Sequence, residues 1–209
     1  MATGVYIDGL NLYYGALRGT PYKWLDLEKL ARRLLPQDEI AFIRYFSARV
    51  SARFGEVDSQ VRQSVYLRAL QSNPLIHVHL GYVKQKERML PLSSNKKHPL
   101  EMVLVTIDEE KGSDVSLAAH LLNDTFHGAI DKALLATNDG DFKEAIRLAR
   151  INGINVGVVA PWKFPANKHL QAVLSFEIPW RPEILKKCQM EQSVRDAKGR
   201  EVNRPKAWK

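Results

Sequence analysis

The chain has 209 residues, 45% of them hydrophobic and 26% charged, with a formal net charge of +8. This length suits one sizeable domain plus a tail, and the composition is ordinary for a soluble globular protein. No apolar run approaches the roughly 20 residues that a membrane helix needs, which excludes a membrane-spanning class. The excess of positive charge favours an anionic partner, nucleic acid first.

Short apolar runs alternate with helical patterns along the chain. Strands are predicted over residues 4–7, 40–46, 75–83, 102–105, 133–136 and 154–159. Helices are predicted over residues 27–34, 57–71, 113–125 and 142–150. Because strands that alternate with helices form parallel sheets covered on both faces, the pattern predicts an α/β fold with a mainly parallel central sheet.

A polar segment bounded by Pro91 and Pro99 separates two of the predicted strands. Two strands that flank one loop predict a long β-hairpin inserted in the fold. A basic cluster lies in this region and is read either as a solvated loop or as a nucleic-acid contact: Lys84, Lys86, Arg88, Lys96 and Lys97.

The last part of the chain is strongly basic. Residues 185–209 carry eight basic and three acidic side chains, which makes +5 of the total charge of +8. Few large apolar residues follow position 190, so we expect the segment beyond residue 188 to be loosely packed. These features divide the chain into a domain over residues 1–182 and a basic tail over residues 183–209.

Cys188 is the only cysteine. One cysteine can form neither an internal disulfide nor a thiolate zinc cage. The first eight residues also lack the basic start and the long apolar stretch of a signal peptide. These two features together predict a cytoplasmic protein.

Four aspartates lie where the predicted topology gathers functional groups. Asp8 ends the first strand, Asp139 and Asp141 follow a later strand, and Asp114 opens the helix after the hairpin. Parallel sheets bind their ligands outside the carboxyl ends of the strands. Asp114 shares a helix face with apolar residues, so it is predicted to point toward the sheet edge rather than outward. We therefore expect the four carboxylates to converge.

Each aspartate also has a structural explanation. Asp141 could cap the helix that follows, since Glu144 stands three residues later as in a capping box. Asp114 suits the positive end of its helix, and Asp8 could belong to an ordinary turn. Asp139 is the hardest of the four to explain in this way, because Asp141 could already cap the helix.

The four aspartates together favour a metal site. Carboxylates within a few ångströms of each other repel unless protons or a cation neutralise them, and their hard oxygen atoms suit Mg²⁺ or Mn²⁺. Dinucleotide-binding, P-loop and G-x-S-x-G motifs are absent from the sequence. Leu10 stands where a phosphatase with an aspartyl nucleophile would carry its second aspartate. His77 and His79 share one strand face, where a hairpin face or a nucleic-acid contact is a better explanation than a metal.

Three segments of the chain resemble the NYN domain family, a branch of the PIN-like nucleases that includes the LabA-like proteins. They are VYIDGLNLYY, EKGSDVSLAAHLL and ATNDGDF, which contain the four aspartates in matching order and rough spacing over residues 3–178. The resemblance implies a PIN-like three-layer α/β/α sandwich with a metal-dependent ribonuclease site. It implies that Asp8, Asp114, Asp139 and Asp141 bind the metal and that Asn11 and Asn138 support them.

The leading hypothesis is therefore an endoribonuclease that uses Mg²⁺ or Mn²⁺ to hydrolyse RNA phosphodiester bonds at the four aspartates. Basic side chains are expected to attract the RNA backbone: Lys84, Lys86, Arg88, Lys96, Lys97 and Lys111. For Lys111 a plain surface lysine is the better explanation.

The rival hypothesis is a PIN-like module that holds RNA or a protein partner without cutting it. A small-molecule phosphatase is a third alternative. RNA is the expected partner and a membrane is not, while a homodimer is left open.

Overall fold

The alternating apolar runs form one central sheet in the computed structural model, which describes residues 1–50, 57–93, 101–162 and 165–208. The sheet has seven strands in the order β4-β3-β2-β1-β5-β6-β7. The strands are β1 (Ala2–Asp8), β2 (Glu39–Ala48), β3 (Ile76–Pro91), β4 (Met102–Lys111), β5 (Lys132–Ala136), β6 (Asn155–Val159) and β7 (Phe176–Ile178). All neighbouring pairs are parallel except β3 and β4.

Helices and turns connect the strands. The α-helices are α1 (Gly9–Leu12), α2 (Leu27–Leu34), α3 (Val57–Leu70), α4 (Ser113–Phe126), α5 (Lys143–Ile151), α6 (Lys168–Gln171) and α7 (Ile184–Lys187). A π-helical turn covers Tyr13–Leu17, and 3₁₀ turns cover Gly140–Phe142 and Lys206–Trp208. Tail strands β8 (Ser193–Arg195) and β9 (Glu201–Asn203) form a separate antiparallel pair.

Helices cover both faces of the sheet, which confirms the predicted three-layer α/β/α arrangement. Successive residues of β1 point to opposite faces, so Val5 and Ile7 pack on one side and Tyr6 packs on the other. The Val5 side is covered by α2 and α3, and the Tyr6 side by α4 and α5. Full burial of a side chain such as Leu30 or Leu121 stabilises the fold by about 1.5–3 kcal/mol.

A buried ion pair fixes α4 against the sheet. The Arg44 guanidinium donates to both carboxylate oxygens of Asp124, with Nε–Oδ2 and Nη2–Oδ1 distances of 2.8 Å. The Tyr6 hydroxyl donates to the same carboxylate at 2.8 Å. Burial and the bond to Asp124 raise the pKa of Tyr6, so the phenol stays protonated as the donor. This contact sets the position of α4 and therefore of its first residues near the site.

The predicted hairpin is present and longer than the sequence pattern indicated. Strand β3 pairs in parallel with β2 over Ile76–Gly81 and then in antiparallel register with β4 over Tyr82–Pro91. Lys84, Lys86 and Arg88 therefore lie on a strand and not in a loop. The strand continues because alternation of side chains persists beyond the apolar part of the sequence.

The prediction of a loosely packed tail is wrong. Leu185, Cys188 and Val202 are buried in the same core as α2 and α3. Trp24 anchors the segment, because its indole N–H donates to the Glu191 carbonyl at 2.7 Å. Trp208 lies against the Trp24 ring with a centroid distance of 6.4 Å. A few well-placed apolar side chains are enough to order the tail, although its composition is mainly polar. The boundary between residues 182 and 183 stays a prediction.

Among the described helices, none combines the length and the apolar composition that crossing a membrane requires.

Candidate active site

Asp8 lies at the carboxyl end of β1, in the centre of the sheet, and is only 6% exposed. Its Oδ1 accepts a hydrogen bond from the Asn11 backbone N–H at 2.9 Å and so caps α1. Its Oδ2 accepts one from the Thr137 hydroxyl at 3.0 Å. Gly9 permits this sharp entry into α1, because a Cβ there would lie 2.5 Å from the Tyr45 ring.

The pKa of Asp8 is raised from 3.8 to about 6. Burial is the main cause, since it removes water from the ionised carboxylate. The hydrogen bonds from Asn11 and Thr137 act in the opposite direction, and the negative charges of Asp114 and Asp139 raise the pKa further. These effects show that the three carboxylates lie within electrostatic reach of one another.

Asp139 and Asp141 follow β5, the neighbour of β1, in the order that the sequence indicated. Asp139 is half-buried, whereas Asp141 is exposed. The Asp139 Oδ1 accepts the Asp141 backbone N–H at 3.0 Å and caps the 3₁₀ turn. The capping role considered for Asp141 is thus wrong, because Asp139 is the residue that caps. Glu144 instead pairs with Arg147.

Asp114 lies in the first turn of α4 with an exposed side chain, so the expectation that it would not point outward is wrong. Partial loss of hydration raises the pKa of Asp114, followed by the charges of Glu110, Asp139 and Asp141. Glu110 was missed in the sequence. Its Oε1 accepts the Ser113 backbone N–H at 2.9 Å, which holds this acid at the start of α4.

The four predicted aspartates therefore share one electrostatic neighbourhood without forming a closed metal cage. Within residues 1–50, 57–93, 101–162 and 165–208, no three His, Cys, Asp or Glu side chains are close enough to hold one metal ion. The donor set nevertheless fits Mg²⁺ or Mn²⁺ chemically, because carboxylate oxygens are the ligands these ions prefer. A divalent cation would neutralise the negative charges of Asp114 and Asp139 that act on Asp8.

A network of amide and indole groups holds the rim of the site. The Asn11 Oδ1 accepts the Asn138 backbone N–H at 3.1 Å and the Trp162 indole N–H at 2.9 Å. The Asn138 Oδ1 accepts the Asn167 backbone N–H at 2.8 Å. Asn11 and Asn138 thus join the loops after β1, β5 and β6. Trp162 and Asn167 could not be recognised from the sequence, since only the fold brings them to this point.

The predicted RNA-binding residues differ in their surroundings. Lys86 and Lys111 both pair with Glu109, each at an N–O distance of 2.6 Å. The hydrogen bonds from Lys111 and Lys86 lower the pKa of Glu109 to about 2, so this acid stays ionised and offsets part of their charge. Lys84 and Arg88 are exposed on the hairpin. Lys96 and Lys97 lie outside the described residues.

The chain is similar to a protein family, to a curated protein and to a solved structure. The NYN domain family matches residues 2–177. A Pseudomonas putida protein named 6-hydroxy-3-succinoylpyridine 3-monooxygenase is 36% identical, over 77% of this chain and 60% of its own length. The chain thus spans about 60% of the length of this curated relative.

A crystal structure of a Vibrio parahaemolyticus protein of unknown function also superposes on the chain. Its TM-score is 0.47 at 13% sequence identity, over 86% of this chain and 93% of that one.

Proposed function

Because the chain belongs to the NYN domain family, we propose that it is a metal-dependent endoribonuclease of the LabA-like branch, which hydrolyses RNA phosphodiester bonds beside Asp8. Membership of a PIN-like nuclease family supports a hydrolase in general. The RNA substrate, the metal and the cytoplasmic location are further parts of the proposal. A homodimer stays a prediction.

The observation that carries the proposal is the position of the acids at the carboxyl end of the sheet. Asp8 is buried where β1 ends, and the Thr137 hydroxyl that donates to it also accepts the Asp139 backbone N–H at 3.2 Å. The charges of Asp114 and Asp139 both act on Asp8. A structural role explains one hydrogen bond at a time, such as the cap that Asp8 gives to α1. It does not explain why a second and a third acid lie near a carboxylate that is already costly to ionise. A site for a divalent cation explains all three.

In this proposal Asp8, Asp114 and Asp139 hold Mg²⁺ or Mn²⁺, and Asp141 completes the shell or acts through water. A divalent ion bound there would supply Lewis acidity, which lowers the pKa of a water molecule and stabilises charge on the leaving oxygen. Asn11 N–H and the Thr137 hydroxyl fix both oxygens of Asp8, so this carboxylate stays oriented. Asn11 and Asn138 brace the loops that carry the other acids.

The test is incubation of the protein with mixed single-stranded and structured RNA in Mn²⁺, with a matched sample in EDTA. We expect internal cleavage in Mn²⁺ that EDTA abolishes, with 5′-phosphate and 3′-hydroxyl products. RNA binding without cleavage in either buffer would support the non-catalytic module instead. Hydrolysis of phosphomonoesters with no effect on RNA would support the phosphatase.

A monooxygenase is the second candidate, and one observation favours it: the 36% identity with the Pseudomonas putida protein. The name of that relative indicates oxygenation of a hydroxypyridine. The matching experiment offers 6-hydroxy-3-succinoylpyridine with oxygen and a panel of two-electron reductants, and follows loss of the pyridine together with RNA cleavage. Consumption of the pyridine by a preparation that leaves RNA intact would reject the nuclease.

A further inference from the structure

Exposed aromatic side chains concentrate beside the candidate active site. Tyr13, Tyr14 and Trp162 are 37%, 55% and 38% exposed. Two other large aromatic side chains in the described part of the chain are as exposed: Tyr82 on the hairpin and Phe126 at the far end of α4. Single exposed aromatic residues are common on protein surfaces, whereas several beside one site indicate a binding surface.

One of these rings is hydrogen-bonded to the site, and the other two follow α1 in the chain. The Trp162 indole N–H donates to the Asn11 Oδ1 at 2.9 Å, and the Asn11 backbone N–H donates to Asp8. The π-helical turn brings Tyr13 and Tyr14 next to α1, whose N-cap is Asp8. A ligand on these rings therefore lies beside α1, the helix that begins at Asp8.

Contacts with Gly15 and Asn11 hold the Trp162 ring in place. It packs on Gly15, the residue that follows Tyr14, so closely that a Cβ at Gly15 would lie 2.8 Å from the indole Cε2. The indole thus contacts bare backbone at Gly15, and its only polar atom is already bonded to Asn11. A ring fixed in this way loses little conformational freedom when a flat ligand stacks on it.

A cation accompanies the rings. The Arg18 guanidinium carbon lies 5.6 Å from the centroid of the Tyr14 ring, and Tyr13 meets that ring edge-on at 5.2 Å. Arg18 is exposed, so it is available to an anion that approaches Tyr14. Aromatic rings beside a positive charge are the combination that binds single-stranded nucleic acids, since bases stack and phosphates pair with the cation.

We propose that Tyr13, Tyr14 and Trp162 form a stacking subsite for unpaired nucleobases of an RNA strand, with Arg18 contacting the adjacent phosphate. This inference rests on the proposed ribonuclease function and adds to it the site that holds the strand next to Asp8. A base-paired strand cannot use such a subsite, because its bases already stack on one another.

The experiment measures binding in EDTA, so that no RNA is cut. The probes are a short fluorescein-labelled oligoadenylate and a ribose-phosphate strand of equal length without bases, both followed by fluorescence anisotropy. We expect Tyr14→Ala and Trp162→Leu to weaken oligoadenylate binding by about 5- to 50-fold and to leave binding of the baseless strand unchanged. Tyr14→Phe and Trp162→Phe keep a ring and should retain most of the affinity.

Phe126→Ala is the matched control, because it removes a still more exposed ring at the end of α4 that lies away from Asp114. It should bind both probes as the unchanged protein does. If Tyr14→Ala and Trp162→Leu bind oligoadenylate normally while the protein still cuts RNA in Mn²⁺, the stacking subsite is refuted and the nuclease survives. Equal losses on both probes would also refute it, since the rings would then contact the backbone. A protein that neither binds nor cuts RNA would overturn the proposed function itself.

Discussion

Asp8 shows how a single residue can be stabilising and destabilising at once. Two hydrogen bonds hold its carboxylate and cap α1, yet burial and neighbouring acids raise its pKa to about 6. The folded protein therefore binds the Asp8 proton more tightly than the unfolded chain does. In the absence of metal, the contribution of Asp8 to stability is lost as the pH rises from about 4 through 6.

We expect Asp8→Asn to be more stable than the unchanged protein, by an amount that increases with pH across this range. The difference in unfolding free energy should grow from pH 4 to pH 7 and approach roughly 3 kcal/mol, the equivalent of the shift from 3.8 to about 6. Urea unfolding in EDTA at several pH values measures it. Thr137→Val serves as a companion variant. Loss of its hydrogen bond should raise the pKa of Asp8 further, so that the pH-dependent loss of stability extends to higher pH. A difference that does not change with pH would contradict this account.

Asp139→Asn should abolish cleavage without unfolding the protein. Asparagine retains an Oδ1 that can accept the Asp141 N–H, so the 3₁₀ turn is kept. It removes one negative charge, which should lower Mn²⁺ affinity, reduce RNA cleavage by about 100-fold or more, and lower the pKa of Asp8. Cleavage, calorimetric Mn²⁺ binding and thermal melting in EDTA would be measured on one preparation. Normal cleavage with normal Mn²⁺ affinity would show that Asp139 only caps the 3₁₀ turn and does not bind metal.

At the scale of elements, the tail is the part that the sequence pattern described least well. Leu185 is 2% exposed and packs in the core beside α2 and α3. We expect Leu185→Ala to lower the free energy of unfolding by about 2–5 kcal/mol, as a buried leucine does. Val115→Ala, an exposed apolar position on α4, should be nearly neutral. Chemical denaturation measures the free energy of unfolding of both variants. A decrease below about 0.5 kcal/mol for Leu185→Ala would indicate that the tail does not pack against the core.

Long periodic elements were predictable from the sequence, and short ones were not. Helix α2 occupies the predicted residues 27–34, because its apolar positions repeat over two turns and Asp26 caps it. Helices α1 and α6 and strands β7 to β9 have only three or four residues, too few to show a period. They form because the rest of the fold supplies their hydrogen bonds and buried contacts.

The same limit applied to the candidate site. Asp8 and Asp139 could be selected because each ends a buried strand, and topology alone brings strand ends together. Thr137, Trp162 and Asn167 act through side-chain contacts that join residues 29 to 151 positions apart. No local pattern encodes such contacts.

At the scale of the whole molecule, the chain carries a net charge of +8, whereas its candidate active site is acidic. Long-range attraction of RNA is therefore expected from basic surfaces outside the site. Deleting residues 189–209 cannot test the attraction, because that segment also completes a core. Substitution of exposed lysines on the folded tail is the cleaner change: Lys186→Gln, Lys187→Gln and Lys198→Gln.

The triple variant should keep its melting temperature and bind RNA with a weaker dependence on salt. If each lysine neutralises one phosphate of a single strand, the slope of log affinity against log salt concentration should fall in magnitude by about 2. Titration of labelled RNA at several salt concentrations in EDTA measures the slope. An unchanged slope would show that the tail lysines do not face the bound strand.

The anchoring of the tail by Trp24 also has a consequence for biosynthesis. The indole N–H of Trp24 and the carbonyl of Glu191 that accepts it are separated by 167 residues. A ribosome that adds about 5–20 residues each second needs roughly 8–33 s between these two points. During that interval α2 has no tail to cover its face, and the same holds for α3 once its residues have been added. Trp24 and Tyr66 therefore stay uncovered by the tail on the nascent chain, and the aromatic cluster with Trp208 can close only when the tail has emerged.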